Sequence, residues 1–224
     1  MPTEHEERRD TRQRVLDAAC EVFAEEGYRD GTVQEICAAA GANVAAVNYY
    51  FGSKRELYLE VWQAVTDSVR EKYFTAVREI RDPGKRLRSI IRQRVLHAFD
   101  DRMAGNLRKL VQCEMGDPTD SHAEIEKRFL NPYRTFLVRT IAEILKVDET
   151  DPAAQRCAYS LHSQLIFLNV LRMKGKARHV RMLIGGESPS PEQLESFIDH
   201  METFVLGGIQ AVAQSLRDAG REAS

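Results

Sequence analysis

Apolar residues recur at 15, 18, 19, 22 and 23, the i, i+3, i+4, i+7, i+8 spacing of one face of an α-helix. Gly27 stands where that run ends and is expected to stop it. Thr32-Val33-Gln34-Glu35 has the form of a capping box, so a short second helix starts at Thr32 with Ile36 and Ala39 turned inward. Gly41 breaks the chain. Asn43 caps a third short helix, which carries Val44, Val47 and Tyr50 or Phe51 toward a core. After Gly52, Ser53-Lys54-Arg55-Glu56 forms another capping box and opens a long helix. That helix is expected to run to about residue 80, before Asp82-Pro83-Gly84, and to span roughly 40 Å at 1.5 Å per residue.

The remainder continues in helices. One is expected from Gly84 to Asp101 and a shorter one from Asn106 to Met115, ended by Gly116-Asp117-Pro118. The next covers Ser121 to Lys146 with a kink at Pro132. Asp151-Pro152 places a cap before a proline and opens a helix to about Arg172. Ser190-Pro191-Glu192-Gln193 opens a last helix to about Leu216. No strand-like alternation and no internal repeat is visible, so the fold class is all-α.

Two short helices separated by a glycine-bearing turn, flanked by longer ones, form a helix-turn-helix arrangement. We place this head at residues 1–52 and a helical body at 53–224, the helix from Ser53 joining the two rigidly. Within the body, seven of the eleven residues 161–171 are Leu, Ile, Phe or Val, and the last helix carries a broad apolar stripe interrupted by Gly207-Gly208. Helices with so little polar face must be covered on more than one side. Two readings are open: the central core of a monomer, or a four-helix seam between two subunits. The seam would use Leu161, Leu165, Leu168, Phe197, Met201, Phe204, Val205 and Ile209.

Charge narrows the partners. Thirty-two basic residues against 34 acidic give a net charge of -2, so no global cationic field points to a polyanion. The first 60 residues hold 7 Lys or Arg and 12 Asp or Glu. Acids at 17, 21, 25 and 26 must therefore point away from any duplex the head binds. Basic runs at 78–109 and 172–181 read as solvated faces and a loop, with a second nucleic-acid surface or an anionic effector as the alternatives. Cys20, Cys37, Cys113 and Cys157 are too widely spaced for a CxxC element and read as reduced thiols. No metal or other cofactor is implied. The charged N-terminus has no apolar signal region, which with reduced thiols implies a cytoplasmic protein. There is no phosphate-cradling glycine loop, no HExxH and no GxSxG, so an enzyme is not expected.

The segment VLDAACEVFAEEGYRDGTVQEICAAAGANVAAVNYYFGSKRELY, Val15 to Tyr58, resembles the DNA-binding head of the bacterial TetR-type transcriptional regulators. It follows that family's F-x-x-x-G first helix, T-x-x-x-I-A-like second helix and Y-x-y-F-x-s-K-e-x-L close. Cys37, Ala42, Asn43 and Gly52 depart from the commoner alanine, valine, serine and proline. The stretch EMGDPTDSHAEIEKRFLNPYRTFLVRTIAEIL is similar to one subgroup's poorly characterised body. The resemblance implies a homodimer that binds a palindromic double-stranded DNA operator and is released by a small-molecule effector, most simply as a repressor. An activator of the same fold, or a helical ligand- or protein-binding regulator without specific DNA binding, remains the alternative. In a helix-turn-helix the second helix enters the major groove, which assigns base readout to Asn43, Val44, Ala45, Ala46 and Asn48. By resemblance Thr32, Tyr49 and Lys54 grip the DNA backbone, while Arg8, Arg9, Arg12 and Arg14 either lie along it or are solvated. Candidate effector-pocket residues, chosen from position, are Phe99, Met103, Leu107, Cys113, Phe136, His162 and Phe167, with Gln164 a second polar handle and Arg102 and Arg108 available to an acidic ligand.

Overall fold

The computed structural model describes residues 4–99, 104–171, 177–186 and 189–222, all in helices and their connections. They divide into two compact units, Met1–Val69 with Arg102–Asn131, and Arg70–Asp101 with Pro132–Ser224. The division by compactness therefore falls elsewhere than at residue 52, because a segment distant in sequence joins the head.

The first unit begins with α1 (Glu4–Asp30), whose backbone leaves the helix at Gly27, φ 80°. That conformation is one a side chain rarely tolerates, which accounts for the glycine. The expected capping box is present at α2 (Val33–Ala40): the Thr32 hydroxyl accepts from the Glu35 amide at 3.2 Å, and the Glu35 carboxylate accepts from the Thr32 amide at 2.8 Å. At α3 (Val44–Phe51) the Asn43 side-chain oxygen accepts from the Ala46 amide at 2.9 Å. Helix α4 (Lys54–Val69) supplies Leu57, Tyr58, Val61 and Trp62 to a core shared with Phe23 and Ile36.

Onto this head packs α7 (Ala104–Gly116), followed by α8 (His122–Ile125) and a π-turn, Glu126–Leu130. Leu110 and Ile125 are fully buried there, and the Trp62 and Phe129 rings stack with centroids 6.2 Å apart. Lys109 pairs with Glu25 of α1, and Arg29 with Asp117 at 2.7 Å. At the centre Glu114 of α7, 1% exposed, accepts from the Tyr58 hydroxyl at 3.0 Å and from the Thr119 hydroxyl and amide at 2.7 and 3.2 Å. His122 Nδ1 lies 3.1 Å from the same carboxylate.

The helix expected to run unbroken from Ser53 to residue 80 does not. It ends at Val69, passes through a π-turn at Arg70–Phe74 and resumes as the short α5 (Thr75–Arg78). Tyr73 and Phe74 are adjacent yet both buried, and the wider turn re-aims successive side chains where a regular helix would hold them 100° apart. The units divide at this turn.

In the second unit α6 (Pro83–Ala98) starts at Asp82, whose carboxylate accepts from the Lys85 amide at 2.7 Å. It packs with α9 (Asn131–Leu145), α10 (Pro152–Leu171), α11 (Ala177–Ile184) and α12 (Pro191–Glu222) around Leu87, Ile90, Ile91, Leu137, Ile141 and Ile198. Three arginines of α6 meet carboxylates: Arg86 with Glu143, Arg88 with Glu202 at 2.9 Å, and Arg92 with Glu195 at 2.6 Å. The kink expected at Pro132 takes the form of the π-turn just before it, because proline offers no N–H to the carbonyl four residues back. Helix α11 replaces part of the expected basic loop. Its Ile184 is buried, with Phe99, Leu194 and Phe197 packed against it.

Of the eight residues expected at a subunit seam, Leu161, Leu165, Leu168, Met201, Val205 and Ile209 are buried within the protomer, and Phe197 is partly buried there. Only Phe204 is exposed, at 62%. A β-carbon added at Gly207 or Gly208 would meet nothing within 4 Å, so neither glycine serves close helix approach inside this unit.

Candidate nucleic-acid interface

Helix α3 presents a continuous outward face. Val47 and Phe51 anchor it, while Asn43, Val44, Ala45, Asn48 and Tyr49 are exposed and Ala46 is half-buried. Val44, expected both inward and among the readers, is 43% exposed and belongs to the outer face. Tyr49 is 69% exposed, its ring edge-on to Tyr50 at 5.0 Å. Asn43 spends its side-chain oxygen on the cap and keeps only its NH2 for an outside partner. The Asn48 backbone carbonyl accepts from the Gly52 amide at 3.0 Å, while its carboxamide makes no hydrogen bond among the described residues and can offer a donor and an acceptor together.

The residues expected at the DNA backbone are engaged differently. The Thr32 hydroxyl is held by Glu35, from whose amide it accepts and to whose carboxylate it donates at 2.7 Å. The Thr32 amide, and after it the Thr32 hydroxyl, donates to the Glu35 carboxylate and holds it below its usual range. Lys54 is half-buried; its Nζ donates to the Arg29 carbonyl at 3.2 Å and lies 4.7 Å from the Tyr28 ring centroid. Burial lowers its pKa, against the opposing pull of Asp30 and Glu35. Lys54 thus closes the C-terminal end of α1 and still has N–H donors to spare. Lys54→Ala is expected to cost about 1 kcal/mol of stability through the lost cation–π and carbonyl contacts. It should also weaken binding to all DNA sequences alike and lower the salt slope by about 1 per protomer. Thermal melting and affinities at four salt concentrations check this; a lowered melting temperature with an unchanged slope would assign Lys54 to α1 alone.

Among the N-terminal arginines, Arg12 lies over the Phe51 ring at 5.0 Å and pairs with Glu60 at 2.9 Å, so it is a fastener of the head. Arg14 pairs with Asp10 and Arg9 is exposed; the side chain of Arg8 lies outside the described residues. Of the head's acids, Glu25 is turned to Lys109 of α7.

The expected effector residues are not gathered in one place. Leu107 and Cys113 belong to the first unit, where Cys113 lines a cleft of about 280 Å³ with Tyr28, Tyr58 and Glu114. Phe99, Phe136, His162 and Phe167 belong to the second. There Phe99 packs beside Ile184, Phe136 lies under Arg78 and Arg86, and Phe167 is 54% exposed. Gln164 is half-buried, while Met103 and Arg102 lie outside the described residues. Burial raises all four thiols, as expected of unreactive reduced cysteines. Sequence reasoning missed Glu114 in the first unit and Arg94 and Tyr133 in the second. Only contact between distant helices singles these residues out. Among the described residues no group of three or more His, Cys, Asp or Glu is placed to hold a metal ion. No described helix is long and apolar enough to cross a membrane.

Comparison with known proteins agrees with this geometry. Residues 15–61 match the model of bacterial regulatory proteins of the tetR family. Residues 83–209 match the C-terminal domain of the HTH-type transcriptional dual regulator CecR. The CecR dual regulator of Shigella flexneri is 31% identical over 156 residues, 62% of this chain and 67% of that one. The repressor NicS of Pseudomonas putida is 32% identical over 81 residues, covering 36% of this chain and 38% of its own length. A crystal structure of AibR with isovaleryl coenzyme A and operator DNA superposes with a TM-score of 0.65 at 17% identity, over 87% of this chain and 97% of that one. Both matched models describe regulators and neither describes an enzyme. The chain belongs to the TetR family of DNA-binding bacterial regulators and carries a C-terminal domain of the CecR type.

Proposed function

We propose that this protein is a ligand-responsive repressor that binds an inverted-repeat operator as a homodimer and leaves it when a small effector binds the body. The observation that carries the reading is the outward face of α3, where Asn48 stands exposed beside Val44, Ala45 and Tyr49. With no Arg or Lys on that helix, guanine readout by a basic side chain is absent, and Asn48 to adenine, with Ala45 or Ala46 against a thymine methyl, is the pairing the face suits. A solved neighbour holding both an acyl-coenzyme A and operator DNA supports effector and DNA binding within this fold. Selection from randomised duplexes at about 150 mM salt tests the reading. An enriched inverted repeat with half-sites about 34–36 Å apart, or a multiple, is expected. No enrichment at this or lower salt would overturn it in favour of a regulator that does not read DNA unaided.

Asn48→Ala is expected to flatten the preference at one base pair in each half-site, at about 1–3 kcal/mol per site, with affinity for unrelated DNA unchanged. Repeating the selection with the variant checks this. The CecR relative, named a dual regulator, favours one second reading, in which the same protein also activates. Reporter transcription from promoters with the operator placed upstream or overlapping the start site separates the two.

A further inference from the structure

Helix α6 carries Arg86, Arg88, Arg92 and Arg94, and the first three each meet a carboxylate of α9 or α12. Arg94 forms no ion pair among the described residues. Its guanidinium instead lies 4.8 Å from the centroid of the Tyr133 ring of α9. Tyr133 in turn neighbours His162 of α10, with ring centroids 6.2 Å apart, and Phe74 at 5.4 Å. Three polar atoms of this cluster, Arg94 Nε, the Tyr133 hydroxyl and His162 Nδ1, are fully buried and have no hydrogen-bond partner among the described residues. Burying such groups without partners costs free energy each time, and a folded protein keeps them where something else completes them.

The chemistry of the missing partner follows from the groups present. An arginine Nε is a donor only, a phenol is most useful as a donor, and a neutral imidazole has one N–H to give. Burial, and after it the charges of Arg94 and Arg134, hold the His162 pKa down to about 4, so the ring is neutral near pH 7. A cation and two neutral donors set among the Phe74 and Tyr133 rings, with no carboxylate between them, match a small oxyanion on an apolar body. We propose that Arg94, Tyr133 and His162 bind the carboxylate of an organic acid and that this class of molecule is the effector. The inference rests on the ligand-responsive reading above and names the chemistry of its ligand.

Two measurements on the full-length protein test it, neither requiring DNA. The first is the melting temperature of unliganded Arg94→Met. A buried, unpartnered Nε awaiting a ligand costs the apo protein, so the variant is expected to melt at the same temperature or higher. A fall of several degrees would make Arg94 a structural residue and overturn the proposal. The second is a thermal-shift and calorimetric series with straight-chain carboxylates from butyrate to dodecanoate, benzoate and salicylate, each beside its amide. At least one acid is expected to bind the wild type, its amide to bind far more weakly, and Arg94→Met to lose about 10- to 100-fold in affinity for the acid. His162→Leu should lose less. Equal binding of acids and amides, equal binding by the variant, or no binding across the series would each overturn the proposal. Operator affinity of Arg94→Met without ligand keeps the two readings apart. Wild-type affinity there with no response to any acid sinks the ligand class alone, whereas no DNA binding by either protein sinks the regulator reading and leaves the carboxylate result standing.

Discussion

Glu114→Ala is expected to lower the melting temperature by roughly 10 °C, the loss of about 3–5 kcal/mol. The carboxylate is 1% exposed and is the common acceptor for the Tyr58 hydroxyl, the Thr119 hydroxyl and amide, and His122. Truncation removes the acceptor and leaves the donors behind. Tyr58 is itself fully buried on α4, edge-on to Phe23 at 5.1 Å, and cannot turn its hydroxyl to water without breaking that packing. Burial, with the Glu114 carboxylate beside it, already pushes the phenol far above its usual pKa, so the hydroxyl keeps its proton to donate. Glu114→Gln retains one carbonyl oxygen but turns an NH2 toward groups that donate, and is expected to cost about 1–2 kcal/mol. Differential scanning calorimetry of the two variants beside the wild type decides the matter. If Glu114→Ala melts within a degree of wild type, the network does not fasten α7 to α4, and the apolar contacts of Leu110 do so alone.

The Glu114 site also marks what could be read from the sequence and what could not. Signals confined to three or four residues came through. Examples are the Thr32–Glu35 capping box, the Asn43 cap, and the Ser190–Gln193 box, whose bonds of 2.8 and 3.3 Å close the start of α12. Each is a backbone donor met by a side chain a fixed number of residues away, so spacing alone identifies it. The bounds of α3 were legible for the same reason. The partners of Glu114 and Arg94 were not, because Tyr58 is 56 residues from Glu114 and periodicity says nothing of which helix lies opposite. The two π-turns were equally invisible, since an added residue in a turn leaves the apolar pattern readable as continuous helix. The limit shows most plainly at α10 and α12. Their stripes at Leu161, Leu165, Leu168 and at Met201, Val205, Ile209 correctly signalled apolar cover, but the protomer's own second unit supplies it.

That outcome moves the test of dimerisation to a single residue. Phe204→Glu is expected to convert the proposed homodimer to monomers at micromolar concentration and to weaken operator binding by about 100-fold or more. The ring is 62% exposed and stacks on His200 at 6.3 Å, while Tyr159 and Phe167 of α10 are exposed at 74% and 54%. Large aromatic side chains held out in water on two neighbouring helices are the kind of surface a partner covers, and aromatic residues dominate the energetics of such interfaces. A two-fold axis places every substitution in the assembly twice. With about 2 kcal/mol lost per copy, the dissociation constant rises roughly 1000-fold. The substitution leaves the folded protomer intact because the site is already solvated. Ile209→Glu does not share that property: at 4% exposure the new charge lands in the core of the unit and unfolds it, so it reports on stability rather than assembly. Sedimentation equilibrium, paired with circular dichroism to establish folding, distinguishes the cases. A folded Phe204→Glu protein that remains a dimer would place the subunit seam on some other face, and an operator read by two copies of α3 would then need a different geometry to hold them one helical turn apart.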